Sequence, residues 1–146
     1  MATYSFLDVT ASFTGTTGAF DLGYGSANAE EGITVTMTEA KNTMTVGADG
    51  EVMHSLHAGK SGTITVTLLK TSPVNKKLSL AYNAQSLSSS LWGNNVIVIR
   101  NHVSGDTTTA RTVAFQKQPD HANAKVGNTV SWVFDAGKID QLLGEF

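Results

Sequence analysis

Two stretches of this chain alternate threonine with aliphatic residues almost without a break. In GITVTMTEA (32–40), Ile33, Val35 and Met37 are separated by Thr34, Thr36 and Thr38; in GTITVTLLK (62–70), Ile64, Val66 and Leu68 are separated by Thr63, Thr65 and Thr67. A period of two sends aliphatics to one face and hydroxyls to the other, the pattern of a strand with a core on one side and water on the other. β-Branched side chains reinforce it, since they lose rotamer freedom in a helix and pack well on a pleated surface. TYSFLDVTASF (3–13) and AFDLGYG (19–25) flank the turn-rich TGTTG as one hairpin, and NVIVIRNHV (95–103) and TTTARTVAFQK (107–117) flank SGD as another. TMTVGADGEVM (43–53) reads as a strand, an Asp-Gly turn and a second short strand or extended loop. NTVSWVFDAGKID (128–140) supplies a last strand through Val130, Trp132 and Phe134.

One segment breaks the pattern. In TSPVNKKLSLAYNAQSLSSSLWG (71–93), Ser72 is suited to the N-cap and Pro73 to the first helical position. Val74, Leu78, Ala81, Tyr82 and Gln85 then fall on one helical face, which predicts a helix from about Pro73 to about Ser88. No repeat, linker or composition break divides the chain. The expected fold is all-β with one flanking helix, seven or eight strands in two packed β-sheets (a β-sandwich or barrel), with residues 1–146 as a single domain.

A chain of 146 residues with 40% hydrophobic content is large and apolar enough to bury one real core. Cysteine is absent, which excludes disulfides, thiolate metal sites and cysteine nucleophiles. The opening MATYSFLDVT lacks the basic region and apolar run of a signal peptide, and VIVI (96–99), the longest strongly apolar run, is too short to span a bilayer. A net charge of −2 argues against a general nucleic-acid binder. The charges are unevenly distributed, however. Residues 1–51 carry seven acids against Lys41, a net −6, whereas residues 60–125 carry eight bases against Asp106 and Asp120, a net +6. Such stretches can neutralise each other within one subunit or supply complementary faces between copies.

Motifs for chemistry fail on inspection. Gly59-Lys60-Ser61 invites a phosphate-loop reading, but that loop needs a glycine five positions before the Gly-Lys pair, where this chain has His54, and it must open a helix; here a strand follows. His54 and His57 have no evident third metal ligand, and the nearby Asp49 and Glu51 are more simply parts of a turn. No nucleophile-elbow signature supports a Ser-His-Asp triad. Trp92, Trp132, Phe115 and Phe134 lie in or near alternating runs, where aromatics serve as core more often than as a stacking platform. The chain reads as a binding or structural protein and not an enzyme, with no catalytic, cofactor or metal residues.

Residues 29–73, with MHSLHAGKSG and LLKTSP, followed by the VN that completes LLKTSPVN, and FDAGKID near the end, resemble a family of tailed-phage structural proteins best assigned as the tail tube of contractile-tailed phages. Type VI secretion and pyocin tubes are related to it. The resemblance implies two packed sheets with a flanking helix, six subunits closing into a ring, and rings stacked as a hollow tube that delivers DNA to the host without binding it specifically. It implies a virion-tail location after assembly in the host cytoplasm, no cofactor, no membrane insertion, and association with other copies, tail sheath, baseplate and terminator proteins. A long early hairpin that reaches the neighbouring ring would correspond to residues 41–61, with Lys41, Asp49, Glu51, Met53, His54, Leu56, His57 and Lys60 as candidate subunit contacts. The family's acidic lumen makes Asp8, Asp21, Glu30, Glu31 and Glu39 candidates to face the channel. The alternatives are another virion or secretion-tube β-protein (head decoration, tail terminator or secreted tube) and a small β-sandwich ligand-binding module.

Overall fold

The computed structural model describes residues 2–22 and 28–146, and of residues 28–31 the backbone alone. After a 3-10 turn at Phe6–Asp8, the chain runs through β1 (Val9–Gly15), β2 (Gly18–Asp21), β3 (Asn28–Met37), β4 (Asn42–Val46), β5 (Val52–Leu56), β6 (Gly62–Leu69), α1 (Val74–Gln85), β7 (Asn95–Asn101), β8 (Thr107–Phe115) and β9 (Thr129–Leu142). Seven of these strands form one antiparallel sheet in the order β2-β1-β7-β8-β9-β6-β3, and β4 and β5 form a separate two-stranded sheet. The protein is thus mostly β with one helix, as the alternation predicts.

The seven-stranded sheet supplies both walls of its own core. Phe13 on β1 and Phe134 on β9 are three strand steps apart, about 14 Å in a flat sheet. Their ring centroids are 5.8 Å apart, so the sheet curls until its flanks face each other. The expected pair of packed sheets takes the form of two facing flanks of one curled sheet, with β2 and β3 as its open edges among the described residues. Ile64, Val66 and Leu68 from β6 meet Trp132, Phe134 and Ala136 from β9 and Ile97, Ala110, Val113 and Phe115 from β7 and β8 in one buried cluster. Each large side chain removed from water there contributes roughly 1.5–3 kcal/mol.

A local irregularity in β8 helps the curl. Asn95 pairs with Val113 but Ile97 pairs with Ala110, so β8 uses three residues where β7 uses two. Thr112 takes up the extra residue with φ of 54°. Bulges of this kind bend a strand and increase its twist. The bulge also re-phases the strand. Simple alternation from Val113 and Phe115 would turn Arg111 inward; instead Ala110 is buried and Arg111 exposed. Across from it, the buried positions of β9 change phase as well, from Trp132, Phe134 and Ala136 to Ile139.

Helix α1 closes one end of this curled sheet. Pro73 already has helical dihedrals, and the Val74 N–H donates to Ser72 Oγ at 3.4 Å, which matches the sequence expectation for the start. Val74, Leu78 and Ala81 are buried, and Tyr82 meets Phe115 edge-on at 5.5 Å. The helix ends at Gln85, three residues before the expected end near Ser88. Gln85 is fully buried although polar, because its amide exchanges two hydrogen bonds with the equally buried Asn95, both at 2.8 Å. Pairing satisfies groups whose burial would otherwise be costly. At the other end of the helix, Trp132 Nε1 donates to Asn75 Oδ1 at 3.1 Å.

Candidate assembly surface

Between Met37 at the end of β3 and Gly62 at the start of β6, the chain leaves the sheet and returns. In between, β4 and β5 pair in continuous register from Asn42 with Leu56 to Val46 with Val52. The turn at the tip is well defined. The Gly47 N–H donates to the Glu51 carbonyl at 2.7 Å, the Glu51 N–H donates to Asp49 Oδ1 at 3.1 Å, and Gly50 supplies a φ of 89° that other residues rarely adopt. At the foot, the His57 N–H donates to the Lys41 carbonyl at 2.9 Å, and Lys41 Nζ reaches the Gly59 carbonyl at 3.3 Å.

This arm has no hydrogen-bonded strand beside it within the described residues. The pairing places Met44, Val46, Val52, His54 and Leu56 on one face and Thr43, Thr45, Met53 and Ser55 on the other. On the first face Met44 is 57% and Leu56 83% exposed; on the second Met53 is 59% exposed. A two-stranded hairpin in water is marginal by itself, and a contiguous exposed apolar face marks an interaction surface.

The structure collects Lys41, Asp49, Glu51, Met53, His54, Leu56 and His57 on or at the foot of this arm. His54 Nδ1 lies 3.2 Å from Asn42 Nδ2, and His57 Nε2 lies 2.6 Å from Thr43 Oγ1. Both imidazoles are therefore engaged across the hairpin. Lys60 sits apart from the arm. It leads into β6 and pairs with Asp140 on β9 at 3.2 Å, with Arg111 on the other carboxylate oxygen at 3.8 Å. The hydrogen bond from Lys60 is the main cause of a lowered Asp140 pKa; desolvation opposes it, and the charges of Lys60, Lys138 and Arg111 add to the lowering. Gly59-Lys60-Ser61 therefore precedes a strand and ties two strands together, with no helix N-terminus behind it to hold a phosphate. Sequence reasoning missed Met44, Val46 and Val52, whose alternation is indistinguishable from that of a core strand.

The lumen candidates lie on separate elements. Asp8 ends the 3-10 turn, Asp21 ends the edge strand β2, and Glu39 lies at the arm's foot with its carboxylate over Gly59. The side chains of Glu30 and Glu31 lie outside the described residues. Among the described residues no three His, Asp or Glu side chains are grouped as a metal site would require, and no helix is long and apolar enough to cross a membrane.

Residues 1–144 match the family model described as bacteriophage PhiTE tail tube protein. No curated protein sequence matches the chain. Among solved structures it resembles a chain of the tube-terminating cap of an anti-feeding prophage, at 6% identity and a TM-score of 0.57, over 99% of this chain and 95% of that one. It also resembles a chain of the sheath–tube complex of an extended extracellular contractile injection system, at 8% identity and a TM-score of 0.56, over 95% and 90%. A third likeness is to a chain of the sheath/tube terminator of such a system, at 11% identity and a TM-score of 0.60, over 97% and 98%. At these identities the structural likenesses establish a shared fold.

Proposed function

The chain belongs to the PhiTE tail tube family, and from that premise we propose that it is the tube subunit of a contractile phage tail, whose copies close into six-membered rings and stack into the channel for DNA delivery. The observation that carries this reading is the arm, a folded hairpin with exposed apolar side chains on both faces and, among the described residues, no third strand beside it. An element of this kind gains its burial from another molecule. The open edges β2 and β3 support ring closure in the same way, since exposed strand edges are removed when copies complete a barrel. Ring contacts join two different surfaces of each copy, and unclosed axial contacts then give a filament.

In this reading the arm joins one ring to the next. Sheath, baseplate and terminator proteins surround and end the tube, and some of Asp8, Asp21, Glu30, Glu31 and Glu39 supply the carboxylates that keep DNA from sticking to the channel. A lumen that repels phosphate lets the polymer slide. The subunit acts through assembly and carries out no catalysis.

The test replaces Thr43–Leu56 with a short Gly-Ser linker and compares the two proteins by electron microscopy and light scattering. The intact chain is expected to form stacked rings. The shortened chain is expected to melt at nearly the same temperature, because the buried core lies outside the arm, and to stop at monomers or single rings. Normal tubes from the shortened chain would overturn the role of the arm, and a lasting monomer from the intact chain would overturn the tube.

A further inference from the structure

The curled sheet has a free face on each flank, and the two faces differ in chemistry. On the flank that carries the arm, the outward positions of β3 and β6 hold threonine after threonine. Thr34 stands opposite Thr65 and Thr36 opposite Thr63, while Ile33, Val35, Ile64 and Val66 turn to the core between them. Thr34 and Thr36 on the edge strand are exposed, and Thr63 and Thr65 are half-buried among their neighbours. The next strand, β9, sets Asp135 beside Thr63 and Val133 beside Thr65. Gln116 Nε2 donates to the Asp135 carboxylate at 3.2 Å. Neither β3 nor β6 contains a lysine, arginine or histidine, and the two charged residues of β3, Glu30 and Glu31, are both acidic.

The other flank is less uniform. Thr10, Ser12 and Thr14 on β1 stand opposite Arg100, Val98 and Val96 on β7. Arg100 is exposed and the two valines are half-buried. Between the flanks, Lys60 and Arg111 pair with Asp140, and Lys138 lies close enough to act on the same carboxylate, a local excess of positive charge. The five candidate carboxylates divide between the flanks. Glu30 and Glu31 belong to β3 and Glu39 follows it, whereas Asp8 precedes β1 and Asp21 ends β2.

Resting on the reading that copies close into rings around a channel, we infer that the threonine face of β3 and β6 is the wall of that channel. The inward face of these strands is already covered by the opposite flank, so only the outward face is free to line a hollow interior. A cation that binds phosphate releases counterions and holds the polymer the more tightly the lower the salt. Thr34, Thr36, Thr63 and Thr65 offer a passing DNA duplex hydroxyls without charge, and Asp135 adds one repelling carboxylate that the sequence had not singled out. Threonines paired across the strands support the sheet without any charge at all.

The absence of cysteine lets single thiols report their position. Thr34→Cys, Thr36→Cys and Arg100→Cys proteins are each assembled and the tubes pelleted. They are then treated with N-ethylmaleimide or with a maleimide carried on a protein too large to enter the channel. In tubes, the Thr34→Cys and Thr36→Cys thiols are expected to react with the small reagent and to be shielded from the large one, which labels both in unassembled subunits. Arg100→Cys is expected to show no such selectivity. Labelling of the threonine positions by the large reagent, or their protection from both reagents, would overturn the inference. Selective shielding of Arg100→Cys would overturn it as well, by giving the channel to the other flank. Loss of assembly in one threonine variant leaves the other to decide. Failure of the unsubstituted chain to form tubes would instead overturn the reading beneath the inference, so the two failures are distinguishable.

Discussion

In β6, Ile64, Val66 and Leu68 point into the curled sheet and are fully buried; in the arm, Met44, Val46 and Val52 follow the same alternation with half or more of each side chain in solvent. The difference lies in the neighbours. β6 has β3 on one side and β9 on the other, with the opposite flank of the sheet closing over its aliphatic face. Among the described residues β4 and β5 have only each other. Identical chemistry therefore stabilises the fold in one region and, in the function proposed above, serves association in the other.

The widest separation between these regions is expected from one pair of substitutions. Val66→Asp places an unpaired charge in the core, a cost comparable with the roughly 5–15 kcal/mol that keeps a domain folded. Loss of the cooperative thermal transition by circular dichroism is the expected result. Met44→Asp should leave that transition nearly unmoved while abolishing tubes in the electron microscope. A folded, soluble Val66→Asp protein would reverse the assignment of faces, and an unfolded Met44→Asp protein would make the arm part of the core.

A smaller effect probes how the helix is tied to the sheet. Asn95→Ala leaves the buried Gln85 amide without its two-bond partner, so a destabilisation of about 1–3 kcal/mol is expected in a denaturant melt. Restoring that loss by Gln85→Leu in the same chain would confirm that the cost comes from the Gln85 amide, which without Asn95 keeps only its bond to Thr17 Oγ1. An unchanged midpoint for Asn95→Ala would show that the pair adds nothing to the docking of α1.

The smallest effect belongs to the exposed pair where the arm rejoins the sheet. The Asp140 pKa is lowered by Lys60, so its contribution is complete above the ordinary aspartate value of 3.8 and is lost as pH falls through the lowered one. Because the carboxylate is exposed and screened, Asp140→Asn should barely move the melting temperature at pH 7. A large drop at neutral pH would mean that this junction is a main support of the fold.

Much of this molecule is legible from residue types and spacing. Period two in Ile64, Val66 and Leu68 and in Trp132 and Phe134 located strands and their inward faces; Ser72 and Pro73 located the start of the helix, and the Asp-Gly turn located the arm. These signals are local, because backbone geometry and turn chemistry act over a few residues. Three outcomes depended on distant parts of the chain. Ala110 turned inward and Arg111 outward because a bulge at Thr112 re-phased β8 against β7. Gln85 could be buried because Asn95 met it from another element. The arm remained exposed because, among the described residues, no third strand lies beside it. Periodicity states which side chains share a face; only the tertiary structure decides what, if anything, covers that face.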